Sequence, residues 1–218
     1  MRRSGRSSQP RAGMAAAPVR REYTSLAAGY ERRWAHYLRA STAATLARLP
    51  VRPGQRVLDV GCGTGYLLAR LQARCPDSDL VGLDLTPAML DQAAARLGAA
   101  ATLLCGSGDA LPLPDASVDT VVSANVVHFF ERPHAALAEM ARVLRPGGRL
   151  VITDWCDDYL ACRVLDRTLR LLRRPHGAVW SSRDCAAALG QAGFDAVRVE
   201  RYRIGWIWGM MTASASRA

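Results

Sequence analysis

The amino-acid sequence predicts a three-layer α/β domain, in which helices cover both faces of a mostly parallel β-sheet. From residue 56 onward, short apolar runs alternate with segments that have helical spacing. The runs are rich in Val, Leu and Ile and lack strict alternation, which is typical of parallel strands buried on both faces. The chain has 218 residues, about half of them apolar, which is enough for one domain with a large core.

The N-terminal part divides into a tail and a helical region. Residues 1–20 are rich in Arg, Ser, Pro and Gly and have no periodic apolar face, so we predict a disordered basic tail there. The same composition fits an organelle transit segment, or a start codon assigned upstream of Met14. The domain is predicted over residues 21–218, beginning with a helix over residues 22–50 that breaks near Gly29.

The remaining elements follow in alternating order. Helix boundaries are marked by Thr86 before Pro87 and by the RPGG segment at residues 145–148. Residues 195–216 are predicted to form an antiparallel hairpin at one edge of the sheet, which makes seven strands with the last one antiparallel. The predicted strands before it are residues 56–60, 80–85, 101–106, 118–125 and 149–155, and the helices are 64–75, 87–97, 134–144, 158–174 and 182–192.

The net charge of +10 could indicate a polyanionic partner. Residues 1–21, however, hold six arginines and no acid, so the remainder has 23 basic against 19 acidic residues. The chain has no lysine and one asparagine, which indicates a coding bias more than a cationic surface. We therefore predict no nucleic-acid partner. No apolar run is long enough for stable membrane insertion, and we expect a cytoplasmic protein whose sequence leaves a homodimer open.

The six cysteines form no C-x-x-C pair and have no histidine at zinc-binding spacing. Several lie inside apolar runs. We expect buried, reduced thiols and no metal site.

The segment VLDVGCGTG predicts a strand, a tight turn and the start of a helix, which is a frequent way to bind a nucleotide-like ligand. Gly61, Gly63 and Gly65 follow a G-x-G-x-G pattern. The dinucleotide fingerprint would place its third glycine at residue 66, which is a tyrosine. The neighbouring Asp59 is unfavourable for a pyrophosphate and favourable for a cation, so charge favours S-adenosylmethionine over a nicotinamide dinucleotide.

Four segments in this order resemble the class I S-adenosylmethionine-dependent methyltransferases, in the group that includes the ubiquinone and menaquinone biosynthesis enzymes. The segments are VLDVGCGTG, LVGLDLTPAML, GSGDALPLPDASVDTVVSANVVHFF and LRPGGRLVITDW. The resemblance covers about residues 22–218. It implies a Rossmann-like seven-stranded sheet, an N-terminal helical lid and methyl transfer from S-adenosylmethionine.

The resemblance also implies roles for individual residues. Asp84 would accept hydrogen bonds from both ribose hydroxyls, although it could instead cap a helix. Asp109 and the Ala110 amide would bind the adenine, or Asp109 is a turn residue. Asn125 would line the methionine end of the cofactor, or serve a turn, and Tyr30 would cover the cofactor from the lid or pack in the core. The complete predicted cofactor-binding set is Tyr30, Asp59, Gly61, Cys62, Gly63, Gly65, Asp84, Leu85, Met89, Asp109, Ala110 and Asn125.

Methyl transfer from a sulfonium needs alignment, and needs a base only if the acceptor must lose a proton. The candidate catalytic residues follow the fourth and fifth strands: His128, Asp154 and Tyr159. The unperturbed pKa of histidine is close to neutral, which makes His128 a candidate base, but His128 could equally hydrogen-bond locally to orient its turn.

An apolar or aromatic small-molecule acceptor is predicted from the aromatic residues of the lid, of the segment after the fifth strand and of the final hairpin. These residues are Trp34, Trp155, Trp206 and Trp208, with Tyr159, Tyr202, Met210 and Met211 nearby. The alternatives are a methyltransferase of protein or RNA, and a non-catalytic cofactor-binding regulatory partner. An oxidoreductase is disfavoured by Asp59 and Tyr66.

Overall fold

A computed structural model describes residues 16–172 and 179–218 of the chain. Within these residues, seven helices and seven strands alternate along most of the sequence. The helices are α1 Ala16–Leu26, α2 Tyr30–Ala47, α3 Tyr66–Arg74, α4 Pro87–Leu97, α5 Pro133–Val143, α6 Leu160–Leu171 and α7 Ser182–Gln191. The strands are β1 Arg56–Val60, β2 Asp79–Asp84, β3 Ala101–Cys105, β4 Val118–Ala124, β5 Leu144–Trp155, β6 Phe194–Ile204 and β7 Trp208–Arg217.

The strands form one sheet in the order β3-β2-β1-β4-β5-β7-β6. Neighbours from β3 to β5 pair in parallel, and β7 pairs antiparallel with both β5 and β6. The predicted seven-stranded sheet with an antiparallel last strand is therefore confirmed. The chain leaves β1 towards β2 and returns to β4 on the other side of β1, so β1 and β4 flank the point where the strand order reverses. Ligands of open α/β sheets bind at the carboxyl ends of such strands.

The core consists of one layer on each face of the sheet. Successive residues of a strand point to opposite faces, so Val57 packs with Leu68 of α3 while Leu58 packs in the layer of Leu137 and Met140 of α5. All five of these side chains are fully buried. Burial of both faces explains the unbroken apolar runs of the central strands.

Helix α1 begins at Ala16, so the predicted disordered tail is wrong for residues 16–20. Residues 1–15 lie outside the described residues. Alanine has the highest helix propensity, and the composition of the whole segment concealed the short Ala-rich stretch that starts this helix. The predicted break near Gly29 is present as a 3₁₀ turn over Ala27–Gly29.

The C-terminal elements match their predicted positions with small shifts. The helix predicted over residues 158–174 spans Leu160–Leu171, and residue 174 lies outside the described residues. The hairpin turns at Gly205 and places β6 at the edge of the sheet, as predicted. In the part of the chain that the structure describes, no helix has the length and apolar character needed to cross a membrane.

Candidate functional site

A cavity of about 500 Å³ lies at the carboxyl ends of β1, β2 and β4, and residues of α1 and α2 form its far wall. This volume falls within the range of small-ligand sites, about 300–1,000 Å³. Eleven of the twelve predicted cofactor-binding residues line the cavity: Tyr30, Asp59, Gly61, Cys62, Gly63, Asp84, Leu85, Met89, Asp109, Ala110 and Asn125.

The three glycines of the loop have left-handed backbones for different reasons. A Cβ on Gly61 would lie 2.5 Å from the Val126 side chain, so this position requires glycine on steric grounds. A Cβ on Gly63 would meet nothing within 4 Å, because the loop faces the cavity there. Gly65 is outside the lining. A Cβ on it would lie 2.9 Å from Leu97, so Gly65 allows α3 to pack against α4.

Two carboxylates flank the loop, Asp59 buried and Asp84 half-buried. Asp84 accepts hydrogen bonds from the backbone N–H groups of Gly63 (2.9 Å) and Thr86 (2.8 Å), and burial still raises the pKa of Asp84 above its ordinary value. Asp59 is more isolated, since its Oδ1 is buried without a hydrogen-bond partner. Burial and the nearby charge of Asp84 raise the pKa of Asp59 to about 8. Such a pair favours a cationic ligand over an anionic one.

Asp109 and Ala110, in the segment after β3, also line the cavity. Both oxygens of Asp109 already have partners, Ser107 Oγ at 2.6 Å and Arg132 Nε at 2.8 Å. The Ala110 N–H donates to the Ser107 carbonyl oxygen. An adenine bound here would compete with Ser107 and Arg132 for the Asp109 carboxylate, and with the Ser107 carbonyl for the Ala110 N–H. The neighbouring Leu111 is a core residue outside the lining.

Asn125 combines the two interpretations that the sequence left open. Its φ of 62° lies in the left-handed region, which asparagine tolerates better than most residues, and it also lines the cavity. Its side-chain Oδ1 accepts a hydrogen bond from the Tyr37 hydroxyl (2.7 Å), and its Nδ2 donates to Ser41 Oγ (3.1 Å). Asn125 thereby ties the end of β4 to helix α2.

The three predicted catalytic residues do not line the cavity. His128 and Asp154 form a buried pair, with His128 ring Nδ1 and Asp154 Oδ1 2.5 Å apart. The backbone N–H of His128 also donates a hydrogen bond to Asp154 Oδ2. The His128 ring stacks on Trp155 at 4.7 Å. Tyr159 packs on the backbone of Gly209, where a Cβ would overlap its ring. The strand ends were predicted correctly, but these side chains point away from the cavity.

The predicted aromatic acceptor wall also lies elsewhere. Trp34, Trp155 and Trp208 pack around Tyr37, with the Trp155 and Trp208 rings 5.1 Å apart, and Trp206 is 82% exposed. None of these tryptophans lines the cavity.

Residues that the sequence did not single out form the actual apolar wall. Val19 and Tyr23 of α1 line the cavity together with Phe129 and Phe130, and the Tyr23 and Phe129 ring centroids are 5.3 Å apart. Burial raises the pKa of Tyr23 and brings that of Tyr30 to about 12, so both side chains are neutral phenols at neutral pH. Phe129 and Phe130 could have been predicted from the sequence, because they lie in the turn that follows the fourth strand. Val19 had no signal, because it was assigned to the tail.

These features define a class of site: a glycine loop with one buried and one half-buried carboxylate at the switch point of an α/β sheet, facing a largely apolar cavity. Such a site suits a nucleoside ligand that carries positive charge. S-adenosylmethionine fits, because its ammonium and sulfonium groups complement Asp59 and its ribose hydroxyls can donate to Asp84.

Comparison with known proteins also indicates a methyltransferase site. Residues 58–152 match the family model described as a methyltransferase domain. The demethylmenaquinone methyltransferase of Deinococcus radiodurans is 43% identical over 133 residues, which cover 60% of this chain and 52% of that protein. The malonyl-[acyl-carrier protein] O-methyltransferase of Hahella chejuensis is 41% identical over 98 residues, 44% of this chain and 35% of that protein. The chain thus spans about half and about a third of the lengths of these relatives.

Solved structures share the fold. The methyltransferase complexed with the Trm112 methyltransferase activator of Haloferax volcanii superposes with a TM-score of 0.77 at 24% identity, covering 89% of this chain and 97% of that one. An S-adenosylmethionine-dependent methyltransferase of Thermotoga maritima gives a TM-score of 0.75 at 19% identity, covering 91% and 99%. Residues 58–152 match the methyltransferase-domain family, and the fold that contains them is shared with methyltransferases of known structure.

Proposed function

We propose that this chain transfers a methyl group from S-adenosylmethionine to a small, uncharged, apolar or aromatic acceptor by in-line displacement. This proposal rests on one observation: the same cavity is lined by Asp59, whose Oδ1 has no hydrogen-bond partner, and by the aromatic side chains of Tyr23 and Phe129. The carboxylates of the lining suit a cationic donor, and its aromatic residues suit an apolar acceptor.

The residues around the loop would bind and orient the donor. Asp84 is already held in place by the Gly63 and Thr86 amides, so its carboxylate is preorganised for the ribose. Asp59 would face the positive charge of the cofactor. The bound cofactor supplies an activated methyl group, so the task of the protein is mainly alignment of the acceptor and exclusion of water.

The aromatic wall offers no base for the acceptor at neutral pH, and Asp59 and Asp84 are assigned to the donor. His128 lies outside the lining, and the raised pKa values of Tyr23 and Tyr30 keep their hydroxyls protonated. An acceptor that is already nucleophilic, or that ionises readily in water, fits this site best. Under this proposal His128 and Asp154 position the turn that carries Phe129, and they do not contact the reacting atoms.

The charges in the lining narrow the acceptor class. Four acidic residues line the cavity, Asp59, Asp84, Asp109 and Glu131, and the arginine among the lining residues, Arg132, is paired with Asp109. An anionic acceptor would therefore meet more acidic than basic side chains in the lining. Of the acceptors named for the relatives above, demethylmenaquinone carries no formal charge, whereas a malonyl group carries a carboxylate. The first kind of acceptor is the better match.

The same charges weigh against a macromolecular acceptor, since RNA would bring phosphates to an acidic cavity. A non-catalytic cofactor-binding role is the second alternative. It would require the aromatic wall of the cavity to take no acceptor.

Incubation with methyl-labelled S-adenosylmethionine and a panel of quinols, phenols, amines and malonyl thioesters tests the proposal. We expect label on quinols or phenols, with Asp84→Ala losing both cofactor binding and label transfer. Binding of the cofactor without label on any acceptor would favour the non-catalytic role. Label on the malonyl thioester would contradict the proposed acceptor class.

A further inference from the structure

Helix α6 presents an apolar stripe to solvent. Its Cys162 and Asp166 side chains are buried against the domain. With 3.6 residues per turn, Leu160, Val164 and Leu171 lie on the opposite side, and they are 71%, 55% and 84% exposed. Helix α6 also has Leu165 and Leu169, both half-buried, on the side of Cys162. The exposed stripe is therefore a second apolar side, beyond the one that a surface helix normally turns towards the core, and it is open to a partner.

A second apolar feature adjoins the start of this helix. The turn between β6 and β7 carries Trp206 and Ile207, both exposed. Tyr159, next to Leu160, packs on Gly209 of the same hairpin, which brings the start of α6 and the hairpin tip together. We call this surface the α6–hairpin patch, and its members are Leu160, Val164, Leu171, Leu172, Trp206 and Ile207.

The patch and the cavity share one edge of the sheet. Leu160 follows the carboxyl end of β5, and Trp206 precedes the start of β7, where Met210 pairs with Trp155 at that same end of β5. The cavity lies at the carboxyl ends of the neighbouring parallel strands.

The charges beside the patch are mostly positive. Arg163 and Arg167 lie next to the apolar stripe on α6, and the Arg203 guanidinium lies over the Tyr159 ring at 5.0 Å. Asp157 lies 3.5 Å from Arg163 and Asp158 lies 3.3 Å from Arg201, so these two acids offset these two arginines and the surplus positive charge beside the patch comes from Arg167 and Arg203. Exposed Leu and Trp side chains beside arginines are typical of helices and loops that bind at the surface of an anionic bilayer.

We propose that the α6–hairpin patch docks the protein on the surface of an anionic lipid bilayer, with the apolar side chains at the level of the headgroups and the arginines facing the lipid charge. Trp206, which is 82% exposed at the hairpin tip, can insert among the lipid headgroups. The inference stands independently of the reaction proposed above.

Co-sedimentation of the full chain with phosphatidylglycerol and phosphatidylcholine vesicles tests this proposal. We expect at least tenfold tighter binding to phosphatidylglycerol, weakening with added salt because the arginine contribution is screened. The Leu160→Ser/Trp206→Ser variant should bind at least tenfold more weakly. The Arg163→Gln/Arg167→Gln variant should lose most of the preference for phosphatidylglycerol.

The matched control is Arg52→Gln/Arg74→Gln. Both arginines are exposed and precede β1 and β2, at the opposite edge of the sheet. This variant should bind as the unmodified chain does, and unchanged affinity for S-adenosylhomocysteine would show that each variant is folded. The proposal is overturned by absence of vesicle binding at low salt, by equal binding of the Leu160→Ser/Trp206→Ser variant, or by a dimer in solution that this variant dissociates.

Discussion

Asp59 carries a buried carboxylate oxygen for which the protein itself provides no hydrogen-bond donor. Burial of an unpaired carboxylate is costly, and the group responds by holding a proton up to about pH 8. A cationic ligand reverses this balance, because it favours the ionised form. Asp59 therefore couples ligand binding to proton release.

Calorimetry of S-adenosylmethionine binding near pH 7, in two buffers of different ionisation enthalpy, should detect this release. We expect up to about one proton lost on binding, declining as the pH rises above the pKa of Asp59, which is about 8. Asp59→Asn should abolish the release. Equal release by the variant would show that another group is responsible.

The same pKa shift predicts how stability depends on pH. Between its ordinary pKa of 3.8 and about 8, Asp59 is protonated in the folded chain and ionised in the unfolded chain. The unfolded state binds fewer protons, so this group lowers the free energy of unfolding of the ligand-free protein as the pH rises through that range. Urea unfolding from pH 5 to pH 8 should show a smaller decline for Asp59→Asn. An equal decline in both proteins would contradict the assigned protonation.

The His128–Asp154 pair leads to a different prediction. Asp154→Asn keeps the shape but removes the charge that His128 and the Trp155 amide contact. We expect a loss of about 1.5–3 kcal/mol in the free energy of unfolding, typical of a hydrogen bond to a charged group. The pH dependence of the rate between pH 6 and pH 8 should be unchanged. A variant of normal stability with an altered pH profile would instead place the pair in the reaction.

At the scale of elements, Gly65 controls the contact between α3 and α4. Gly65 and Gly54 both have left-handed backbones, but only at Gly65 would a Cβ also meet neighbouring side chains, Leu97 and Ala93. Gly54→Ala should cost about 1–2 kcal/mol for the backbone alone. Gly65→Ala should cost more, by urea unfolding, while leaving cofactor affinity within about twofold once folded. Equal costs would show that the helices can adjust.

The carboxylate of Glu31 links helix α2 to the glycine loop by hydrogen bonds. Glu31 accepts hydrogen bonds from Thr64 Oγ1 (2.5 Å) and Arg96 Nη1 (2.6 Å). Burial alone would raise the pKa of Glu31, but the bonds from Arg96 and Thr64 lower it below its ordinary value. Because α2 also lines the cavity through Tyr30, these bonds should slow ligand escape.

Stopped-flow dissociation of S-adenosylhomocysteine from Glu31→Gln tests this role. We expect dissociation roughly three- to tenfold faster, in line with about 1 kcal/mol for a half-buried charged contact. Glu200→Gln is the matched control, since it removes another carboxylate bonded to an arginine of the same N-terminal region, Arg48. An equal increase in the dissociation rate of both variants would argue against a specific role for the hydrogen bonds of Glu31.

On the scale of the whole molecule, the fold brings residues from distant parts of the chain around one cavity. Tyr23 of α1, Asp84 after β2 and Phe129 after β4 meet there because parallel strands place their carboxyl ends at one edge. A ligand that fills the cavity should therefore stabilise the entire domain.

Thermal unfolding with S-adenosylhomocysteine at about 100 times its dissociation constant should gain about 2.7 kcal/mol. For a domain of this size, the midpoint should rise by roughly 5–10 °C. A nicotinamide dinucleotide at the same concentration should give no rise, since its pyrophosphate would meet Asp59. A rise with the dinucleotide alone would contradict the assignment of the site.

The sequence by itself determined the order of the strands and helices and the loop at the centre of the site. Apolar periodicity is local, and parallel strands with helical crossovers allow few topologies, so most of the predicted cofactor-binding positions fall in the cavity lining. The four ordered motifs fixed the kind of ligand for the same reason: each motif is a local arrangement of backbone and charge.

Only the tertiary structure decided which side chains turn towards the cavity. His128 and Asp154 follow the expected strands but pair behind Phe129, and Trp155 packs with Trp208 instead of forming a wall. Val19 belongs to a helix that its composition concealed, and α6 exposes a second apolar side in addition to the one that it packs on the domain. The direction of a side chain at a strand end, and the face that a helix buries, depend on contacts between elements far apart in sequence, which no local pattern records.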